Sequence, residues 1–229
     1  MNYTFNQGPI EADNSLRRYM TSVFNKMFLA LCLTGGVSYI CTMNEQLLAV
    51  LSGGISILLM IATFGIVMYM TARIHKIASD TANALFWIYS AMTGAFLAPL
   101  FIVYTGESIA SAFFTTAIFF GAMSTYGYVT KKDLSGVGSF MTVGLFSIII
   151  ATIVNIFLKS SVIQMGLSVL TIVVFCGLTA FDIQKIKSFY NPADDAETNA
   201  KRGVIGALSL YLDFLNIFLA LLRLLGNRK

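Results

Sequence analysis

Long apolar runs separated by short polar clusters organise this chain. Seven windows, at 27–43, 47–70, 84–104, 109–129, 137–158, 162–182 and 204–225, are continuous and mostly apolar. A helix needs ~20 such residues to cross the hydrocarbon core of a bilayer. The pattern therefore predicts seven transmembrane helices. The breaks carry Asn44-Glu45, the segment 73–80, Gly106-Glu107, Lys131-Lys132-Asp133, Lys159-Ser160-Ser161 and the long polar stretch 185–202. Strands of a membrane barrel would instead alternate over short segments. The expected fold is an all-α membrane protein with its helical domain at 19–226, preceded by a segment at 1–18 and followed by a tail at 227–229. Connections after the first, third and fifth windows are only a few residues long. The first six helices thus read as three hairpins, and the unpaired seventh is expected at the centre.

Composition narrows this further. Of 229 residues, 57% are hydrophobic and 11% charged, with a mean hydropathy of +0.77. A soluble domain carries roughly 25% charged residues, so much of this surface must face lipid. The first 26 residues are polar, and no apolar stretch with a small-residue cleavage site precedes the first long run. That run is read as an anchor. Cys32, Cys41 and Cys176 have neither an even count nor a metal-ligand spacing, and are read as packing residues.

The net charge of +4 arises from basic residues between the apolar runs. With the N-terminus inside, Arg17, Arg18, Lys26, Arg73, Lys76, Lys131, Lys132, Lys185, Lys187, Lys201 and Arg202 share the inner side. Lys159, Arg223, Arg228 and Lys229 fall outside. Basic excess marks the cytoplasmic side, so a cytoplasmic N-terminus is expected. The clusters reflect orientation rather than nucleic-acid binding. Seven spans place the C-terminus outside, although the basic tail fits a re-entrant last helix as a second reading.

The chemistry lies in two acids inside apolar runs. Asp182 ends the sixth window and Asp213 lies within the seventh. A charge at mid-bilayer costs at least ~2.5–3.5 kcal/mol on insertion scales, so Asp213 should face the interior. Ser209, Asp213, Asn216, Ala220 and Arg223 recur at helical spacing and form one stripe of polar or small residues. Asp213 reads either as an ion or proton site or as a buried hydrogen-bonding staple. Asp182 reads either as its partner or as a hydrated acid at a helix end. If the two carboxyls meet, repulsion makes them share a proton and titrate as a unit. Arg73 is the cation best placed to compete for Asp182, and Ca²⁺ suits carboxylate oxygens. Ser209 and Asn216 are pathway-lining candidates. Counted from the window edges, however, the two acids are not level. His75 reads as an interfacial residue. Tyr89, Ser90, Thr93 and Asn155 read as packing contacts. Pro99 is expected to kink the third helix, and Trp87, Tyr104 and Tyr128 to form an aromatic belt. Gly35-Gly36, Gly53-Gly54 and Gly94 would allow close helix contact.

Four segments carry a resemblance: Ile88-Tyr89-Ser90-Ala91-Met92-Thr93-Gly94, GAMSTYGYVTKKD starting at Gly121, GLTAFDIQ starting at Gly177, and LSLYLDFLNIFLALLRLLG starting at Leu208. On these, the chain resembles the bacterial branch of the Bax inhibitor-1 family over nearly its whole length. The resemblance implies a central seventh helix wrapped by six others, and a pH-sensitive Ca²⁺ leak across a bacterial inner membrane. Ca²⁺ would be the permeant ion and H⁺ the regulator, with no tightly bound cofactor. The resemblance places a paired-aspartate sensor on Asp182 and Asp213 and an arginine latch on Arg73. It also implies a membrane-bound AAA protease as partner. Some members carry a pore acid in the second helix; residues 47–70 contain none.

Other readings remain beside the leak. Two aspartates on consecutive helices are what an intramembrane aspartyl protease needs, but the Gly-x-Gly-Asp pattern is absent. A retinal protein needs a lysine in the last helix, and 204–225 has none. A non-transporting regulator of a membrane partner stays open. Motifs of soluble hydrolases and nucleotide-binding enzymes are missing.

Overall fold

The computed structural model describes the backbone of residues 9–229 and the side chains from Asn14 onward; the expected segment 1–18 therefore lies partly outside the described residues. Helices are α1 (Pro9–Thr42), α2 (Glu45–Leu51), α3 (Ile55–Arg73), α4 (Ser79–Leu97), α5 (Leu100–Val103), α6 (Gly106–Val129), α7 (Ser135–Leu158), α8 (Ser161–Phe189) and α9 (Ala196–Leu225). Seven of these segments are long and apolar enough to cross a membrane, with α4 and α5 together making one of them.

Local chemistry sets the boundaries. The second apolar window divides at Ser52-Gly53-Gly54 into α2 and α3, because consecutive glycines favour a break. Pro99 separates α4 from α5, as a missing N–H and a fixed φ dictate. Side chains of Asn44, Thr105, Ser160 and Asp195 accept hydrogen bonds from the first turns of α2, α6, α8 and α9. The first and last long helices extend beyond their windows. α1 starts at Pro9 and α9 at Ala196, since their polar first turns project from the apolar slab.

The centre belongs to α9. In its membrane window 67% of residues are buried, against 6% for α3 and α7. α8, α1, α6 and α4 pack around α9, while α7 lies on α8 and α3 chiefly on α4. The consecutive pair α7 and α8 packs along its length. α1, however, packs chiefly on α4 and α9 rather than on its sequence neighbour α3. The reason is polar and steric. Thr34 and Ser38 of α1 bond to the carbonyls of Ser90 and Gly94 on α4 at 2.9 and 2.6 Å. A Cβ on Gly94 would stand 2.6 Å from the Thr34 carbonyl oxygen. Gly35, Gly36 and Gly54 meet no such neighbour.

The two ends of the bundle are tied differently. At the end where α4, α7 and α9 begin, Glu197 of α9 accepts from both the Ser79 amide and its hydroxyl, each at 2.6 Å. Gln184 joins α8 to the loop before α7 through Leu134 N and Lys132 O, both at 2.8 Å. At the opposite end, the tail after α9 pairs with the loop before α6. Thr105 N donates to Asn227 O at 3.2 Å, and Lys229 N donates to Val103 O at 3.0 Å. α9 thus crosses the whole bundle as one helix, which removes the re-entrant alternative. Tyr104 is buried at 4% exposure under Gly226, so it does not belong to an aromatic belt.

Candidate functional site

Close packing of α8 on α9 sets the register of the two acids. Gly206 faces Ile186; a Cβ there would lie 3.1 Å from the isoleucine side chain. From that level Asp213 lies seven residues along α9, while Asp182 lies four residues back along α8. At ~1.5 Å per residue the two are offset by about 4.5 Å along the helix axes. The early start of α9 roughly halves the mismatch expected from the window edges. Asp182 and Asp213 lie within electrostatic reach of each other. Among the described residues, no hydrogen bond joins them.

Asp213 is buried at 4% exposure. Its Oδ2 has no hydrogen-bond partner. The Thr179 side chain, level with it on α8, interacts with its carboxyl. The Thr179 hydroxyl donates to Phe175 O at 2.7 Å, so toward Asp213 it can only accept. Phe214 beside it packs tilted on Phe113 and edge-on to Phe120 of α6, with ring centroids 5.3 and 5.6 Å apart. Asp182 is half-buried on α8, and the cation acting on it is Lys185, one turn away. The Lys185 ammonium stands 5.7 Å from the ring centroids of both Phe181 and Phe189.

The other expected residues divide. Arg73 is exposed at the last turn of α3 and makes no ion pair with Asp182; the ion pair found among the described residues is Arg202–Asp194. Ser209 and Asn216 are half-buried on the Asp213 side of α9. Asn216 donates to Leu212 O at 2.8 Å and lines a crevice between α7, α8 and α9. Tyr89, Ser90 and Thr93 are buried, and Ser90 and Thr93 satisfy carbonyls one turn back. His75 is exposed. The cysteines are free. Among the described residues no three His, Cys, Asp or Glu side chains cluster as metal ligands.

Two participants were not singled out in the sequence. Thr179 lies three residues before Asp182, a spacing that places both on one helical face. Tyr211 is fully buried; its hydroxyl meets Thr34 of α1 at 2.7 Å, and its ring packs edge-on to Phe86 and Tyr89. Only the fold brings Thr34 to it.

Known proteins are similar to this chain in sequence. The family described as inhibitor of apoptosis-promoting Bax1 matches residues 16–229. The chain belongs to the Bax inhibitor-1 family. Within this family it is 46% identical over 219 residues to the protein RP147 of Rickettsia prowazekii, covering 95% of this chain and 92% of the relative. It is 42% identical over 218 residues to the inner membrane protein YbhL of Escherichia coli K12, covering 93% of each. A Borreliella burgdorferi protein is 41% identical over 215 residues, again with 93% of each chain covered. The match spans all seven apolar helices, and the chain is a multi-pass membrane protein of the Bax inhibitor-1 family.

Proposed function

We propose that the protein is a pH-sensitive Ca²⁺ leak pathway of a bacterial inner membrane, with Asp182 and Asp213 as its proton-responsive gate. The observation that carries this reading is a buried aspartate on the central helix with an unpartnered oxygen, in electrostatic reach of a second aspartate. A buried carboxylate without partners is costly, so either a proton or a cation relieves it. Asp213 with a proton can donate to Thr179. Without one, the pair presents carboxylate oxygens, which a hard cation such as Ca²⁺ prefers. Ser209 and Asn216 extend the polar stripe along the same helix and would line the path.

Arg73 fits the scheme as a latch that replaces the proton. It is exposed here, so engagement of Asp182 would require α3 to move inward. The shallow burial of α3 makes such a motion inexpensive. The excess of basic residues at the N-terminal face supports a cytoplasmic N-terminus, and the name of the YbhL relative supports the inner membrane. A membrane-bound AAA protease as partner rests on the family resemblance alone.

The test is Ca²⁺ flux into proteoliposomes across a pH series. Asp213→Asn and Asp182→Asn should each change the flux and flatten its pH dependence. Wild-type vesicles without flux, or variants with an unaltered pH profile, overturn the assignment.

A further inference from the structure

A second polar feature opens at the end of the bundle where α7 ends and α8 begins. Between α7, α8 and α9 a crevice of about 550 Å³ opens to the surface. Its rim carries Lys159 and Arg223, and its interior carries Asn155, Gln164 and Asn216. No acidic side chain lines it. Asn216 lies seven residues below Arg223, so the crevice descends ~10 Å into the slab. Its walls include Ile149, a residue exposed on the face that meets lipid.

Neither cation is neutralised. Among the described residues, Lys159 and Arg223 form no ion pair. Arg223 donates from Nε to Leu219 O at 3.1 Å, and among the described residues its two terminal amino groups make no hydrogen bond. Lys159 adopts φ 50°, the sole positive φ of a non-glycine residue among those described. It occupies the C-cap of α7, where glycine is the residue of least cost. A lysine in the left-handed region gives up backbone stability for its side chain's position. Asn155 accepts from Ser160 N at 3.1 Å, which fixes this turn at the rim.

We propose that this crevice binds an anionic phospholipid, with the phosphate between Lys159 and Arg223. Paired cations with no acid suit one phosphate, and the guanidinium fork offers it parallel donors. The neutral amides of Gln164 and, deeper, Asn216 suit the ester oxygens on the membrane side of the phosphate. The apolar wall facing the membrane suits an acyl chain, which a free phosphate would not use. The crevice shares Asn216 with the proposed path, but Lys159 and Arg223, which carry the lipid assignment, have no part in the leak reading.

Native mass spectrometry of the purified full chain tests it, with phosphatidylglycerol, phosphatidylcholine and inorganic phosphate as probes. Phosphatidylglycerol should give a retained one-lipid complex, and the paired variant Lys159→Gln with Arg223→Gln should weaken it about tenfold or more. Lys131→Gln with Lys132→Gln removes equal charge from the other end and should leave binding unchanged. Lys159→Gly guards against misfolding: it relieves the left-handed backbone, so thermal stability should hold or rise while lipid retention falls. Equal retention of phosphatidylcholine, equal loss in the Lys131/Lys132 variant, or competition by inorganic phosphate at matching concentration would each overturn the assignment.

Discussion

The hydroxyl of Tyr211, on the central helix α9, meets the hydroxyl of Thr34 on α1 at 2.7 Å, in a region closed to solvent and lipid. Thr34 also reaches the carbonyls of Ala30 and Ser90, each at 2.9 Å. Its single proton goes to one of those carbonyls, so Tyr211 is the donor in the hydroxyl pair. This asymmetry predicts unequal mutants. Tyr211→Phe removes a donor and should cost about 0.5–1.5 kcal/mol. Thr34→Val takes the 2.7 Å acceptor from the buried Tyr211 hydroxyl, leaving only the nearby Ser90 and Thr93 hydroxyls, and should cost about 1–3 kcal/mol. The double variant should cost less than the sum. Reversible unfolding in mixed micelles reads all three, and a Tyr211→Phe cost exceeding that of Thr34→Val would contradict the donor assignment.

The contact of α6 with α8 depends on Gly127. A Cβ there would lie 2.3 Å from the carbonyl oxygen of Ala180. Backbone cannot rotate away, so Gly127→Ala should force the helices apart at a cost of about 1–3 kcal/mol. Gly36, exposed on α1 with no neighbour within 4 Å, supplies the control. Gly36→Ala should be neutral or slightly stabilising through helix propensity. Thermal unfolding in detergent compares them; equal midpoints would mean that the α6–α8 approach is not constrained at Gly127.

Acid should loosen the start of α9. The Asp195 carboxylate caps this helix, accepting from Thr198 N at 2.5 Å. Hydrogen bonds from Thr198 hold its pKa below the ordinary aspartate value. A depressed pKa contributes stability above the unfolded value of about 3.9, and that stability is lost as pH falls through the folded value. Asp195→Asn keeps a capping oxygen and removes the titration. The melting temperature of the variant should therefore fall less than that of the wild type between pH 6 and pH 3. Parallel pH curves would refute this.

The tail should protect the loop that it pairs with. Thr105 N donates to Asn227 O, and Asn227 N donates to the Ser108 hydroxyl at 2.9 Å. Removing residues 227–229 exposes the Thr105 amide, whose hydrogen exchange should accelerate by at least about tenfold. Amides in the middle of α9 should keep their protection. An unchanged rate at Thr105 would show that the pairing is not maintained in solution.

Seven spans, a disruption at Pro99 and the interior placement of Asp213 were legible in the chain, whereas 47–70 read as one continuous helix with Gly53-Gly54 as contact residues and instead breaks there. Apolar length and helix-breaking residues act locally, and a carboxylate is too costly to leave in lipid. The order of neighbours around α9 was not legible. Short connections suggested that α1 would lie on its sequence neighbour, whereas hydroxyl-to-carbonyl bonds and Gly94 seat it on α4. Side-chain bonds between distant helices leave no periodic trace. The level of Asp182 relative to Asp213 depended on where α9 begins, and polar residues 196–203 hid that start from a reading based on apolar length. Sequence thus determined which residues enter the membrane and which of them needed shelter, because transfer free energy is a property of each side chain. Tertiary structure alone decided which oxygens meet which donors, because that depends on helix register set by contacts such as Gly206 on Ile186 and Gly127 on Ala180.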